Sequence, residues 1–298
     1  KRNRQKYSEA CRPILGKYTD GILGRLIDLL AVFALLAGTA TTFSLATPLM
    51  ASVIGELFHV ELNRTVVTII ILVLTCVVYT YSLLHGFKGI SFIAKSCIYL
   101  FFGLLAYVFL FGGETKYIIE TGFSAIGRVV QNFFQLATYT DPQRTTSFPQ
   151  TWTIFYWAYW MVWCVATPFF IGNISRGRTV RQTIFGGYLF GCGSTIVSFI
   201  ILGNYSLGQQ IAGAADYIAM YQKNGDLYSI IIAISLTLPC APLILALLFI
   251  TMVAFYATSF DSIALIGACY SYHKLGENES PHKLIELMWC VLLIALPI

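Results

Sequence analysis

A dense run of aromatic residues is the feature of the chain most suited to binding chemistry. Four of the five tryptophans lie within twelve residues, at Trp152, Trp157, Trp160 and Trp163. If this segment is helical, Trp152, Trp160 and Trp163 fall on one stripe. Tyr159 precedes Trp163 by one helical turn, so Tyr159, Trp160 and Trp163 can converge around one point. The spacing predicts a cluster of ring faces on one side of a helix.

Two interpretations of this run differ in the depth at which the rings lie. An aromatic belt at the membrane–water interface accounts for Trp152. It does not account for Trp163, because a rise of about 1.5 Å per residue places that ring about 16 Å further along the helix. Ring faces at that depth favour a site for a cation without hydrogen-bond donors, such as a quaternary ammonium group. Each face contributes about 0.5–2 kcal/mol, so other parts of the pocket must supply the remainder of the roughly 8 kcal/mol that micromolar affinity requires.

The composition of the chain indicates what kind of element holds these rings. Hydrophobic residues make up 57% of the 298 residues and charged residues only 11%. A soluble domain carries roughly 25% charged residues, so most of this surface must face something other than water. A disordered chain is excluded by the same figures, since disordered segments are polar and rich in charge. The composition predicts an all-α membrane protein that crosses the bilayer several times.

The polar residues indicate neither a nucleic-acid surface nor an enzyme site. The net charge is +5, but the basic residues lie between apolar runs, as topology signals do, rather than along one face. The eight cysteines form no CxxC pair, and the four histidines have no HExxH or other paired-ligand spacing. We therefore expect no catalytic residues, no cofactor and no nucleic-acid partner.

Seven apolar stretches reach, or nearly reach, the roughly 20 residues that a helix needs to cross a bilayer. They cover about 26–50, 65–84, 90–112, 152–172, 183–203, 241–270 and 284–298. Basic residues mark alternate connections between them, and the positive-inside bias places Lys1 in the cytoplasm. The chain begins with Lys and ends within an apolar run, so we expect residues 1–298 to form a single core that belongs to a longer protein.

Two further segments are predicted to be helices at the outer surface. Within 113–151, apolar residues such as Ile126, Val130 and Phe134 recur at helical spacing among polar ones, which indicates an amphipathic helix along the membrane surface. A shorter helix is predicted at about 227–238, where the apolar run ends at Leu238 and Pro239. We expect this second helix to be re-entrant or to cover the outer face.

Several segments resemble the betaine/carnitine/choline transporter family. They are the aromatic run at 152–163, the segments 174–179, 24–28 and 258–262, and the pair Gly38 and Thr39. The resemblance covers essentially the whole chain. It implies a twelve-helix transporter of the inner cell membrane with two inverted five-helix repeats of the LeuT type, of which this chain would supply the fifth to eleventh helices. It also implies alternating access and assembly as a homotrimer.

The same resemblance assigns a substrate site. The aromatic box of the family falls on Tyr159, Trp160 and Trp163, with Trp152 near the outer approach to it. The first of these positions is usually Trp, so Tyr159 adds a hydroxyl that would favour a substrate with a polar group of its own. Thr167 stands where carnitine exchangers carry a methionine. Betaine, carnitine, γ-butyrobetaine and choline all stay open as substrates.

Sodium coupling would involve two sites by the same resemblance. Thr258, Ser259 and the carbonyl of Phe255 would bind one Na⁺ through oxygen atoms, together with a broken helix that would precede this chain. The alternative is that both hydroxyls bond back to their own helix turn. A second Na⁺ site would include Thr39. We expect it to be lost, because Leu35 and Ala166 replace a threonine and a phenylalanine at positions 35 and 166.

Charged residues at the ends of the spans, and one inside a span, complete the predicted sites. Lys95 lies close to where exchangers of the family carry an arginine that replaces sodium, a position that aligns with Ile98; alternatively Lys95 extends to the cytoplasmic interface. Asp261 is a carboxylate well inside a span, at a structural and gating position of the family. Asp28 is expected to pair with Arg25. A further basic cluster consists of Arg176, Arg178 and Arg181. It is either a topology anchor or a surface that binds anionic lipid and a regulatory tail.

The predicted function is secondary active transport of a quaternary ammonium compound coupled to sodium. A sodium-independent exchanger, for example of carnitine against butyrobetaine, is the alternative within transport. A membrane enzyme would need a cluster of His, Cys or carboxylate residues that the sequence lacks, and a seven-span receptor would place the first residue outside. The predicted partners are the small-molecule substrate and the lipid bilayer.

Overall fold

The computed structural model describes residues 6–59, 64–84, 87–175, 177–272, 275 and 279–295. Within its helices, the side chains of residues 64–65, 79, 82–84, 87–90, 165–166, 169–170, 172–174, 260–262 and 294–295 are not described. Every regular element in this part of the chain is helical, which confirms the all-α prediction. The predictions for Lys1, Arg176 and the side chains of Ala166 and Asp261 fall outside the described residues.

The helices follow one another with short connections. Two short helices, α1 (Tyr7–Ala10) and α2 (Arg12–Leu15), and a 3₁₀ turn (Gly16–Asp20) precede the long helices α3 (Ile22–Phe58), α4 (Arg64–Leu84) and α5 (Phe87–Phe111). Next come α6 (Thr115–Gln131), α7 (Phe133–Ala137), a π-helical turn (Pro149–Thr153) and α8 (Ile154–Ile174). The continuous helix α9 (Val180–Ile211) contains two π-helical stretches, Gly187–Cys192 and Phe199–Gly203. The last elements are α10 (Tyr217–Asn224), α11 (Leu227–Leu236), α12 (Ala241–Ser271) and α13 (Lys283–Ala295).

The seven predicted apolar stretches coincide with α3, α4, α5, α8, α9, α12 and α13. Helix α3 has 37 residues and continues to Phe58, because isolated polar residues such as Glu56 interrupt the apolar pattern without ending the helix. Four stretches of the described chain are long and apolar enough to cross a membrane, namely Ile22–Phe58, Ser91–Phe111, Val180–Ile211 and Ala241–Ser271. The chain is therefore a helical protein with several candidate spans, and the count of seven stays a prediction.

The core forms where α3, α4, α12 and α13 meet. Phe43 of α3, Ile71 of α4 and Ile263 of α12 are each at most 1% exposed. Tyr256 of α12 stands edge-on to Phe43 with ring centroids 4.7 Å apart, and its hydroxyl lies 3.0 Å from the hydroxyl of Thr47. Close packing and such interhelical hydrogen bonds hold helices together in a bilayer, where apolar burial alone gives little preference for helix over lipid.

Much of the apolar surface outside this core is exposed. None of the most apolar 18-residue segment of α9 is buried, and on α5 Phe92 and Tyr99 are 71% and 75% exposed. A helix that is apolar all round is typical of a membrane span or of a helix buried among others. These surfaces fit contact with lipid or with further helices, not with water.

The segment before α3 folds against the ends of two long helices. Ser8 donates from its backbone N–H and from its hydroxyl to the two carboxylate oxygens of Asp28, each at 3.0 Å. The backbone N–H of Tyr7 donates to the hydroxyl of Tyr270 at 3.1 Å, which joins α1 to α12. The predicted ion pair of Asp28 with Arg25 is not found among the described residues, and the bonds that hold Asp28 come from Ser8, twenty residues away.

The turn between α2 and α3 is held by an ion pair and a close approach. The guanidinium of Arg12 lies 2.8 Å from carboxylate oxygens of Asp20 and Glu9. The hydrogen bonds to Asp20 and then Glu9 raise the pKa of Arg12 further above its usual value. A Cβ atom on Gly24 would lie 1.8 Å from the carbonyl oxygen of Thr19, so the turn can approach α3 only at a glycine.

The predicted amphipathic segment is helical over part of its length. Helices α6 and α7 cover residues 115–131 and 133–137, and most of the remainder up to residue 148 is a loop. Ile118 is buried, whereas Phe123, Val130 and Phe134 are each at least 73% exposed. The unburied apolar face fits a helix at the membrane surface, and its outer position stays a prediction. The shorter helix predicted at 227–238 is α11.

Candidate substrate site and coupling residues

The loop before α8 is organised by one buried carboxylate. Asp141 is 2% exposed, and it accepts hydrogen bonds from the backbone N–H groups of Thr145, Thr146 and Ser147 at 2.9–3.1 Å. The hydroxyls of both threonines also donate to it. These donors, led by the N–H of Thr146, stabilise the charged form and hold the pKa of Asp141 well below its usual range. Gln150 donates to a carbonyl of this loop at 2.9 Å, so the loop fixes the start of the aromatic run.

Helix α8 packs against α3 at a glycine. A Cβ atom on Gly38 would lie 2.9 Å from Cγ1 of Val162 and 3.5 Å from Nε1 of Trp163. Trp163 is half-buried at the margin of the core, and its indole N–H is shielded from water with no hydrogen-bond partner among the described residues. The absence of a side chain at Gly38 therefore sets how closely Trp163 approaches α3.

Three rings of α8 form an open corner beside this contact. The ring centroid of Tyr159 lies 6.0 Å from that of Trp160, with the planes inclined at 78°. It lies 6.2 Å from that of Trp163, with the planes inclined at 66°. The ring of Tyr159 is thus steeply inclined to both tryptophan rings, and one of its faces is also stacked on Phe155, with centroids 5.9 Å apart and planes inclined at 15°. Trp160 is 61% exposed, so this side of the corner is open in the described part of the chain. The structure brings the predicted residues Tyr159, Trp160 and Trp163 together.

Trp152 and Thr167 lie apart from this corner. Trp152 is 39% exposed and stacks on Tyr156, with centroids 6.2 Å apart and planes inclined by 28°. It lies about 10 Å along the helix from Tyr159, at a rise of about 1.5 Å per residue. The hydroxyl of Thr167 donates to the carbonyl of Trp163 at 2.9 Å, within its own helix. A role for Trp152 on the approach path stays a prediction.

The hydroxyl of Tyr159 joins α8 to α3 through Thr42. The two hydroxyl oxygens are 2.7 Å apart. Thr42 also donates to the carbonyl of Gly38, one turn earlier in α3, at 2.8 Å. Gly38 and Thr42 lie on one face of α3 because residues four apart share a face. The aromatic run alone gave no reason to select Thr42, since its partner lies 117 residues away.

The predicted sodium oxygens lie next to each other on α12. The hydroxyl of Thr258 donates to the carbonyl of Phe255 at 2.9 Å, so the back-bonding alternative describes this hydroxyl in the present structure. Ser259 is half-buried. The ring of Phe255 stands edge-on to that of Phe101 of α5, with centroids 5.8 Å apart. Two oxygens and a helix contact are therefore in place, while Na⁺ binding itself stays a prediction.

The residue of the second predicted sodium site is enclosed in α3. Thr39 is 0% exposed, and its hydroxyl donates to the carbonyl of Leu35 at 2.7 Å. Leu35 is 4% exposed within the core and offers only its backbone oxygen. Thr39 is thus hydrogen-bonded within its own helix turn, and the loss of the second sodium site stays a prediction.

Lys95 is exposed on α5. The contacts between α5 and α12 give its position along the helix axis relative to the residues of α12. Phe101 contacts Phe255, while Tyr107, further along α5, donates to the carbonyl of Pro239 before α12. The two helices are therefore antiparallel. Lys95 lies about 9 Å from Phe101 along the axis, and Thr258 about 4.5 Å from Phe255 in the same direction. Along the axis, Lys95 therefore lies about 4.5 Å beyond the level of Thr258.

The two described arginines of the predicted cluster are exposed. Arg178 and Arg181 flank the start of α9. Thr179 forms a capping box with Gln182, in which the hydroxyl of Thr179 accepts from the backbone N–H of Gln182 at 3.2 Å. The cap satisfies backbone donors at the helix start and leaves both guanidinium groups free to face an anionic surface.

Groups of three or more His, Cys, Asp or Glu side chains that could hold a metal ion do not occur among the described residues. The oxygens around Phe255 and Thr258 belong to a carbonyl and a hydroxyl, which suit a hard monovalent cation rather than a transition metal. The site chemistry is thus that of ring faces and neutral oxygens.

Comparison with known proteins gives matches over almost the whole chain. Residues 1–298 match the model of the betaine/carnitine/choline family transporters. The glycine betaine transporter OpuD of Bacillus subtilis is 31% identical over 96% of this chain and 54% of its own length. The uncharacterized transporter YeaV of Escherichia coli is 27% identical over 96% of this chain and 59% of its own length. A carnitine transporter of Acinetobacter baumannii is 26% identical over 96% of this chain and 52% of its own length. The chain spans about half the length of the curated relatives it matches.

Proposed function

The chain belongs to the betaine/carnitine/choline transporter family, and we propose that it serves in secondary transport of a quaternary ammonium compound by alternating access. The observation that carries this proposal is the corner of inclined rings formed by Tyr159, Trp160 and Trp163. A trimethylammonium group has no N–H to donate, so it is attracted to ring faces rather than to a single carboxylate. Glycine betaine and carnitine, which name two of the relatives, both carry such a group.

The architecture we propose follows the family. Seven helices of this chain would cross the inner cell membrane, with the Lys1 end in the cytoplasm, as part of a LeuT-type inverted-repeat transporter. Helix α6 would lie along the outer surface, and three copies would assemble. The exposed apolar faces of α5, α6 and α9 support contact with lipid and with further helices. Arg178 and Arg181, with Arg176, would contact anionic lipid or a regulatory tail.

Sodium is the coupling ion in this proposal. Thr258, Ser259 and the carbonyl of Phe255 would contribute oxygens to one site, and the second site near Thr39 would be lost. The support for this assignment is that the Thr258 hydroxyl and the Phe255 carbonyl are neighbours on α12, 2.9 Å apart. To bind Na⁺, the hydroxyl would exchange its bond to that carbonyl for contact of its oxygen with the ion. The second candidate is sodium-independent exchange with Lys95 supplying the positive charge. Its support is that Lys95 lies within about 4.5 Å of the level of Thr258 along the axes of the antiparallel helices.

A ring substitution with a matched control tests the substrate site. In the full-length gene product, reconstituted in proteoliposomes, Trp160→Leu removes one ring face. We expect affinity for a quaternary substrate to fall by about twofold to thirtyfold. Trp160→Phe should retain part of the affinity. Trp157→Leu is the control, since Trp157 is 69% exposed and lies on the opposite side of the helix from Tyr159.

The comparison must include the amount of protein inserted in the membrane. Equal uptake and affinity for wild type and Trp160→Leu would contradict the assignment of the corner. An equal loss in Trp157→Leu and Trp160→Leu would also contradict it, because the effect would then follow from any lost tryptophan on α8.

A further inference from the structure

The hydrogen bonds of Thr42 fix the position of one proton at the aromatic corner. A threonine hydroxyl has a single proton. Its oxygen is 2.8 Å from the carbonyl of Gly38, which can only accept, and 2.7 Å from the hydroxyl oxygen of Tyr159. Thr42 therefore donates to Gly38, and the bond between the two hydroxyls must use the proton of Tyr159. Tyr159 is the donor and Thr42 the acceptor.

This direction decides what the oxygen of Tyr159 can offer to a substrate. With its proton directed at Thr42, the phenolic oxygen keeps an acceptor lone pair and no donor. A hydroxyl group of the substrate can donate to it. A carboxylate can only accept hydrogen bonds, so its oxygens would be repelled by the acceptor oxygen of Tyr159.

The position of Tyr159 makes this difference matter for quaternary ammonium compounds. Its ring is 6.0 and 6.2 Å from the rings of Trp160 and Trp163, and the residue is half-buried. The phenolic oxygen therefore lies beside the corner, on the side that faces α3. The second carbon from the nitrogen bears a hydroxyl in choline and carnitine. It is a methylene in γ-butyrobetaine and the carboxylate carbon in glycine betaine.

We propose that Tyr159, held as a hydrogen-bond acceptor by Thr42, selects quaternary ammonium substrates with a hydroxyl on the second carbon from the nitrogen. The inference rests on the proposed function, because it needs the trimethylammonium group to occupy the corner. It goes beyond that function by separating hydroxylated substrates from betaine-type ones. Thr42 acts as the positioning residue and Tyr159 as the residue that contacts the substrate.

Carnitine and γ-butyrobetaine test the proposal, since they differ by this one hydroxyl. The full-length gene product in proteoliposomes is assayed for competition by each compound against a labelled quaternary substrate. We expect wild type to bind carnitine more tightly by about twofold to tenfold, the effect of one hydrogen bond. Tyr159→Phe keeps the ring and should bring this ratio close to one.

Two threonine variants separate selection from a structural link between α3 and α8. Thr42→Val frees the proton of Tyr159, so relative affinity should shift from choline toward glycine betaine, whose carboxylate can now accept it. Thr41→Val is the matched control. Thr41 also donates to a carbonyl of α3, that of Ala37 at 2.9 Å, without contacting Tyr159. We expect its substrate ratios to equal those of wild type.

Each outcome decides the proposal. An unchanged carnitine ratio in Tyr159→Phe, or no preference for carnitine in wild type, overturns it. A second result also overturns the proposal. If Tyr159→Phe loses affinity for carnitine and γ-butyrobetaine equally, and Thr42→Val keeps the wild-type ratio of choline to glycine betaine affinity, the hydrogen bond serves only helix packing. If Tyr159→Phe fails to insert, the ratio in Thr42→Val decides alone. Failure of wild type to bind any quaternary ammonium compound contradicts the proposed function instead.

Discussion

At the scale of single residues, the side chains of the corner divide into those that spacing predicts and those that only packing brings in. Tyr159, Trp160 and Trp163 are close in sequence, and helical geometry alone places them together. Thr42 and Gly38 belong to another helix, and their contacts with α8 depend on how two helices cross. Spacing rules describe neighbours within one element, so they gave no access to the bond that orients Tyr159.

Asp141 was missed for a related reason, and its protonation gives a testable dependence on pH. Its folded-state pKa lies below the ordinary value of about 3.9. The stability it contributes is therefore fully present above that ordinary value and is lost as the pH falls through the folded-state pKa. We expect Asp141→Asn to loosen the loop at neutral pH and trypsin cleavage after Arg144 to become about tenfold faster.

The control is Glu120→Gln, which changes an exposed carboxylate on α6. Its cleavage rate should match that of wild type. The difference in thermal stability between wild type and Asp141→Asn should narrow below a pH of about 4. A constant difference between pH 7 and pH 3 would contradict the assignment of the effect to the charged carboxylate.

At the scale of elements, apolar runs predicted which segments are helical but not where the helices end. The prediction for the first span stopped at residue 50, whereas α3 continues to Phe58 and ends where His59 adopts a left-handed conformation with φ of 51°. The predicted surface segment 113–151 is shorter as a helix, because the bonds of Asp141 hold part of it as a loop. Helix ends depend on backbone geometry and local hydrogen bonds, which hydropathy does not register.

The contact of α3 with α8 supplies a prediction at this scale. Gly38→Leu would place a side chain where even a Cβ atom lies 2.9 Å from Val162. We expect it to separate α3 from α8 and to lower the free energy of unfolding by about 1–3 kcal/mol. It should also reduce substrate affinity by displacing Trp163. Thermal unfolding in detergent and competition binding on the full-length gene product measure the two effects.

Gly103→Leu is the matched control for Gly38→Leu. No atom lies within 4 Å of a Cβ built on Gly103 of α5, so the same substitution should leave stability and affinity close to wild type. Equal effects at Gly38 and Gly103 would mean that a leucine is generally harmful in these helices. The close contact at Gly38 would then not determine the geometry of the site.

At the scale of the whole molecule, the direction of the chain across the membrane can be tested by labelling. We expect a cysteine at position 178 to react from the cytoplasm and one at position 139 from outside, because basic connections lie inside. Arg178 is exposed, and Tyr139 is 49% exposed, which makes it a better probe than the buried Asp141 nearby. Replacing the exposed Cys164, Cys192 and Cys240 with alanine removes competing thiols. The reverse labelling pattern would contradict the proposed orientation.

Coupling would also be a property of the whole molecule, since the proposed ion site lies on α12 and the proposed substrate site on α8. One intact set of oxygens at Thr258 and Phe255, with Thr39 enclosed in α3, predicts uptake that rises with sodium with a Hill coefficient of about one. Thr258→Ala should weaken the sodium dependence. Thr251→Ala is its control, because Thr251 likewise donates to a carbonyl of α12, that of Leu247 at 2.7 Å, two turns away.

The exchanger alternative makes the opposite prediction for Lys95. A bound Na⁺ and an ammonium group repel each other strongly where the effective dielectric constant is low, so one site should not hold both. If Lys95 supplies the positive charge at the coupling site, the rate of substrate flux into proteoliposomes does not depend on a sodium gradient and requires substrate on the opposite side of the membrane. The rate then falls in Lys95→Ala. If sodium supplies it, Lys95→Ala leaves sodium-driven uptake intact, because the exposed side chain can extend to the interface instead. We expect the sodium result, since the Thr258 hydroxyl and Phe255 carbonyl are already adjacent, whereas Lys95 must extend along α5 to reach their level.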